Sequence, residues 1–223
     1  MFGQRIIAKS LSMAKHHLII SGTGRAGTTF LVQLLTELGL DTGFSPANTD
    51  VNADSRAGME WNIRTANAPY VVKSPTLNHD LETLLETREV VVDCAIIPIR
   101  ELYAAAESRR VVQHNSRERD LPGGLVLTDK PQEQEAALAM EFHRLIHTLV
   151  RYDVPTIWLH FPRLVKDADY LYGKLQTRLP NQNLETFVQA FRKVSRPELV
   201  HAFEPKAAPE KPVVRGLKTW FRK

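Results

Sequence analysis

The stretch at residues 17–39 constrains this chain more than any other. HLIIS (17–21) is short, apolar and rich in β-branched residues, so it reads as a buried strand. GTGRAGTT follows directly. TTFLVQLLTELGL then spaces Phe30, Leu31, Leu34, Leu35 and Leu38 along one helical face, with Gly39 as a stop. Strand, glycine turn, helix is how an α/β layer fold begins.

The rest of the chain repeats that alternation. YVVK (70–73), VVVDCAII (90–97) and TIWLH (156–160) read as further strands. The second of these is apolar nearly throughout, as expected of a parallel strand covered on both faces, and only Asp93 interrupts it. Helices are expected over 77–85, 101–112, 131–151, 164–179 and 184–194. The helix over 131–151 is the clearest, with Leu138, Phe142, Leu145, Ile146 and Leu149 in one stripe. Residues 41–58 read as a polar surface loop with a short helix after it at 59–64. Residues 115–132, with Pro122, Gly123 and Gly124, read as an excursion. Repeated strand-then-helix units argue an α/β fold with a mostly parallel central sheet between helical layers. The expected organisation is an N-terminal extension over 1–16, an α/β domain over 17–203 and a basic segment over 204–223.

Composition removes several function classes. A chain of 223 residues, 43% hydrophobic, can bury a core without a staple. The single cysteine, Cys94, excludes an intrachain disulfide framework and a cysteine-rich zinc site. The formal charge of +4 is that of residues 204–223 alone, which leaves 1–203 neutral. No nucleic-acid partner is therefore expected, since that needs a basic stripe on a folded surface. No apolar run reaches the length of a membrane span or a signal-peptide core, so no membrane span and a cytoplasmic location are expected.

The loop Gly22-Thr23-Gly24-Arg25-Ala26-Gly27-Thr28-Thr29 carries the chemistry. Glycines let the backbone turn tightly and present successive amides, while the helix start adds unpaired donors and partial positive charge. Phosphate oxygens fit such a nest; Thr28 and Thr29 add hydroxyls and Arg25 a planar cationic fork. Gly22, Gly27 and Thr29 meet the nucleotide-hydrolase pattern GxxxxGK[ST], but Thr28 stands where its lysine belongs. A magnesium-dependent kinase thereby loses its main β/γ-phosphate cation. Gly22, Gly24 and Gly27 also match GxGxxG, without the acidic residue about 20 positions on that would confirm a dinucleotide site. The bland alternative is a glycine turn with a threonine helix cap. Arg100 ends the long strand and Ser108 lies eight residues later, on the edge where parallel sheets bind ligands. Together they suit a second phosphate group. Pairing of Arg100 with Glu101 is the alternative.

These residues resemble the sulfotransferase family, whose members use 3′-phosphoadenylyl sulfate (PAPS). The family's 5′ motif, a basic residue followed by S-G-T-T, is similar to Arg25-Ala26-Gly27-Thr28-Thr29, with alanine for serine. Its 3′-phosphate motif, an arginine with a serine eight positions on, resembles Arg100 and Ser108, although Glu101-Leu102 replaces the usual asparagine-proline. Lys73-Ser74-Pro75 looks like the lysine step of protein-tyrosine and carbohydrate members. IWLHFPRLVKDADYLYGKL resembles the family's late strand and Y-E-x-L region, with Phe161-Pro162 for tyrosine-glutamate, and Arg215-Gly216 looks faintly like its C-terminal basic loop. The resemblance covers residues 17–180.

It implies a P-loop NTPase-like three-layer sandwich and a PAPS cofactor, leaving 3′,5′-adenosine diphosphate as product. Gly24, Arg25, Ala26, Gly27, Thr28, Thr29, Arg100 and Ser108 would bind it, and Lys73 would stabilise the leaving oxygen. A small-molecule or glycan hydroxyl acceptor then needs a general base, for which Glu60 or His79 is the candidate. His160 stays in reserve at the favourable edge. His16 and His17 precede the first strand, and His143 and His147 lack visible metal-ligand partners in the sequence, so no metal is expected. An atypical P-loop kinase and a catalytically inactive binding protein remain the alternatives.

Overall fold

The structure, a computed structural model, describes residues 14–52, 55, 57–74, 77–115, 123–179 and 182–203. Strands β1 (Lys15–Ile20), β2 (Val71–Lys73), β3 (Val90–Ile99) and β4 (Thr156–His160) form one sheet in the order β2-β1-β3-β4, with every pair parallel. Around it lie helices α1 (Thr28–Glu37), α2 (Leu77–Glu86), α3 (Leu102–Asn115), α4 (Gln134–Arg151), α5 (Ala168–Leu175) and α6 (Leu184–Val194). The expected mixed α/β fold with a mostly parallel sheet flanked by helices is what the chain adopts.

Strand alternation explains the layers. Leu18, Ile20, Cys94 and Ile96 point into an apolar cluster with α1, α5 and α6. Their neighbours Ile19, Ala95 and Ile97, with Val72, Val90 and Val92, point into a second cluster with α2 and α4. Both faces are covered, so the strands can be apolar almost throughout. Asp93 is the exception, and the ladder explains it. Between His17↔Val92 and Leu18↔Cys94 the register shifts, which leaves Asp93 as the extra residue of a bulge. Its carboxylate accepts bonds from His16 Nδ1 at 2.7 Å and Tyr70 Oη at 3.3 Å.

Three expectations change in detail. β1 begins at Lys15, so His16 and His17 lie inside it; His17 is buried and its Nδ1 donates to the Pro69 carbonyl at 2.8 Å. Residues 59–64 are not helical. Met59 is buried with φ 59, and Trp61 N–H bonds the Lys73 carbonyl at 3.0 Å, laying this stretch alongside β2. The helix expected over 164–179 breaks into α5 between two 3₁₀ turns, because Asp167 caps the Tyr170 N–H and starts a new helix there. Among the described residues no helix is long and apolar enough to cross a membrane. The basic segment at 204–223 lies outside the described residues.

Candidate functional site

Parallel strands put all four carboxyl ends on one edge, and there the structure has a cavity of about 820 Å³. Ser21 and Gly22 line it after β1, Lys73 and Ser74 after β2, Arg100 after β3 and Phe161 after β4. The order β2-β1-β3 places it where the connections leaving β1 and β3 diverge, the position that opens a crevice in such sheets.

The glycine loop forms one wall. Gly24 has φ 67, and a Cβ there would lie 2.3 Å from Arg109 Nη2, so the guanidinium packs directly on the loop backbone. Gly27 precedes α1 in the left-handed region at φ 85 and offers no side-chain cap, and the first turn of α1 holds no acid. The helix therefore brings its N-terminal amides and partial positive charge to the cavity without a built-in counter-ion. Thr28 and Thr29 line the same wall.

Four cations converge on it. Lys73 is only 6% exposed; its ammonium donates to Thr29 Oγ1 at 3.2 Å, the Gly58 carbonyl at 2.6 Å and Glu60 Oε1 at 3.1 Å. Burial lowers its pKa below the usual lysine value, partly offset by Glu60. Arg25, itself at φ 52, donates from Nε to Ser108 Oγ at 3.1 Å and from Nη1 to the Ser55 carbonyl at 2.6 Å. Arg100 donates to the carbonyls of Arg25 at 2.8 Å and His201 at 2.7 Å, with its guanidinium over the rings of Phe161 and Phe203. Arg109 donates to the carbonyls of Gly124 at 2.7 Å and Thr23 at 2.9 Å, while its buried Nε has no partner among the described residues. Burial first, then the charge of Arg25, pushes both Arg100 and Arg109 down to about 10. Neither takes part in an ion pair among the described residues. Two buried guanidiniums, each repelled by Arg25 and bonded to neutral carbonyls, form a site suited to a bound anion.

Of the residues expected to act here, Gly24, Arg25, Gly27, Thr28, Thr29, Glu60, Lys73, Arg100 and Ser108 all line this one cavity. Ala26 is fully buried in the apolar cluster beneath it. His79 does not reach the cavity lining: it lies on α2, 3.4 Å from Glu141 Oε2 and 3.0 Å from Arg144 Nη1, both on α4. His160 is exposed at the end of β4, outside the lining. Glu101 does not pair with Arg100; its Oε2 accepts the Ala104 N–H at 2.7 Å and caps α3. Arg215-Gly216 lies outside the described residues.

Sequence reasoning missed Arg109, the Gly58 carbonyl and the segment at 196–201, which lines the cavity and supplies the His201 carbonyl to Arg100. A signal for Arg109 was present. Ala104, Ala105 and Ser108 are the small buried face of α3, and Arg109 continues it at helical spacing. The excursion also returns here: the Gln134 side chain grips both backbone groups of Val126, at 2.9 and 3.1 Å, holding Gly123 and Gly124 against Arg25 and Arg109. No family model, no curated protein and no solved structure matches this chain.

Proposed function

We propose that the chain is a sulfotransferase with a P-loop NTPase-like three-layer sandwich, moving the sulfuryl group of 3′-phosphoadenylyl sulfate to a hydroxyl or amine of a small-molecule or glycan acceptor. The observation that carries this reading is the convergence of Lys73, Arg25, Arg100 and Arg109 on a glycine loop at the start of a helix, with neutral carbonyls as the acceptors of Arg100 and Arg109. The donor brings two phosphate groups and an activated sulfate. Loop amides, Thr28, Thr29 and Arg25 hold the 5′ end. Arg100 and Ser108 hold the 3′-phosphate, exchanging neutral partners for a charged one, a stronger bond. Lys73 stabilises the phosphate oxygen as it takes the electron pair of the breaking S–O bond. Glu60 accepts the acceptor's proton as the new bond to sulfur forms. It is the favoured base because it lies 3.1 Å from the Lys73 ammonium, whereas His79 points to α4.

A nucleotide-dependent kinase is the second reading. Lys73 bonds Thr29, the hydroxyl position of GxxxxGK[ST], and so returns an ammonium to a loop that lacks its own. Calorimetric titration separates the two. 3′,5′-Adenosine diphosphate should bind without magnesium, and Arg25→Ala and Arg100→Ala should each weaken it at least several-fold, since charge-assisted bonds contribute about 1.5–3 kcal/mol. Magnesium-dependent binding of a nucleoside triphosphate, with no affinity for the 3′,5′-diphosphate, would replace this reading with the kinase.

A further inference from the structure

The inner face of α4 is anchored in the core through Leu138, Leu145 and Leu149. Its outer face is unusual for a solvent-facing helix. His143 and His147, both exposed and one turn apart, stack with ring centroids 6.5 Å apart and planes 22° from parallel. Neither ring has a hydrogen-bond partner among the described residues. At 100° per residue, Ala136, Ala139, Met140 and Val150 share this face, and all four are exposed. The nearest cations turn aside, Arg144 to Glu141 at 3.1 Å and to His79, Arg151 to Glu82 on α2. Two imidazoles with free nitrogens thus project side by side from a rigid helix, with the neighbouring cations engaged elsewhere.

We propose that His143 and His147 form a chelating site for a divalent late-transition-metal ion, such as copper, nickel or zinc. Neutral imidazole is a ligand these ions favour, at about 2.0–2.1 Å for zinc. Histidines at i and i+4 face the same way on a helix, and exposed rings reach a common ion by rotating about χ1 and χ2. Among the described residues no cluster of three or more histidine, cysteine or acidic side chains forms a metal site, so the described residues give two ligands here and water can take the remaining positions. Copper should bind more tightly than nickel or zinc, following the usual order for nitrogen sites, and magnesium should not bind. The site is independent of the anion cavity.

The test titrates the full chain with copper chloride, reading heat and the visible absorption of bound copper. One equivalent is expected at this site. His143→Ala and His147→Ala should each lower the affinity at least tenfold, and the double variant should lose less than the sum of the two single losses, because the chelate is lost with its first ligand. His160→Ala should retain full affinity. Ala139→His combined with His147→Ala rebuilds an i, i+4 pair with His143 and should restore binding. All these positions are exposed, so an unchanged thermal midpoint in the absence of metal verifies folding. Single variants that leave affinity unchanged, or lose it independently and additively, would overturn the proposal. So would failure of the rebuilt pair.

Discussion

At the scale of single residues, the cavity separates groups that hold the loop from groups placed to act. Lys73 belongs to the second kind. In the proposed transfer its ammonium would face the leaving oxygen, where charge grows, so Lys73→Ala should lower turnover about 100- to 1000-fold while changing 3′,5′-adenosine diphosphate affinity far less. Parallel measurement of turnover and product affinity checks this; equal, small losses would make Lys73 a structural cation only. Arg109 belongs to the first kind, since it ties the carbonyls of Thr23 and Gly124 together against Gly24. Gly24→Ala should therefore displace it and weaken nucleotide binding at least tenfold. Gly39→Ala is the control. Its φ of 79 is equally left-handed but nothing lies within 4 Å, so it should cost about 1–2 kcal/mol of stability and no affinity. Equal affinity losses in the two variants would show a general strain effect instead.

At the scale of elements, β1 carries a titratable liability. The Pro69 carbonyl can only accept, so His17 Nδ1 bears the proton of the neutral ring and Nε2 is left buried without a partner. Desolvation lowers the His17 pKa below its ordinary 6.5. Below 6.5 the unfolded chain then binds a proton that the folded chain refuses. The stability contributed by neutral His17 is full above 6.5 and is lost as pH falls through the window between 6.5 and the lowered value. Acid unfolding followed from pH 7 downward should steepen in that window, by up to about 1.4 kcal/mol per pH unit from this one group. His17→Gln should flatten that slope, whatever its effect on stability at neutral pH. An identical slope in the variant would show that His17 is accommodated in its charged form.

At the scale of the molecule, folding assembles like charges around one cavity, and a bound anion would relieve their repulsion. Burial first, and then the charge of Arg25, push Arg100 and Arg109 down to about 10. An anion that binds the folded state alone stabilises it by about 2.7 kcal/mol at a hundredfold excess over its dissociation constant. Thermal unfolding should thus shift upward by several degrees with 3′,5′-adenosine diphosphate. The shift should shrink as salt rises and fall markedly in Arg100→Ala. A shift that is independent of both salt and Arg100 would place the ligand elsewhere.

Local periodicity set the elements and much of the site. Apolar β-branched runs and helical stripes are short-range patterns, so the strands and the bounds of α1, α2 and α6 were legible to within a few residues. A parallel sheet then brings every strand's carboxyl end to one edge, which is why Arg25, Lys73 and Arg100 could be grouped from one dimension. What the sequence could not carry was direction. Glu60 reaches the cavity because Met59 turns left-handed and Trp61 pairs with the Lys73 carbonyl, while His79 turns to Glu141 and Arg144 on a helix some sixty residues away. The positions of Arg109 and the His201 carbonyl likewise depend on contacts between distant segments. Those contacts are fixed by packing and desolvation, which only the tertiary structure decides.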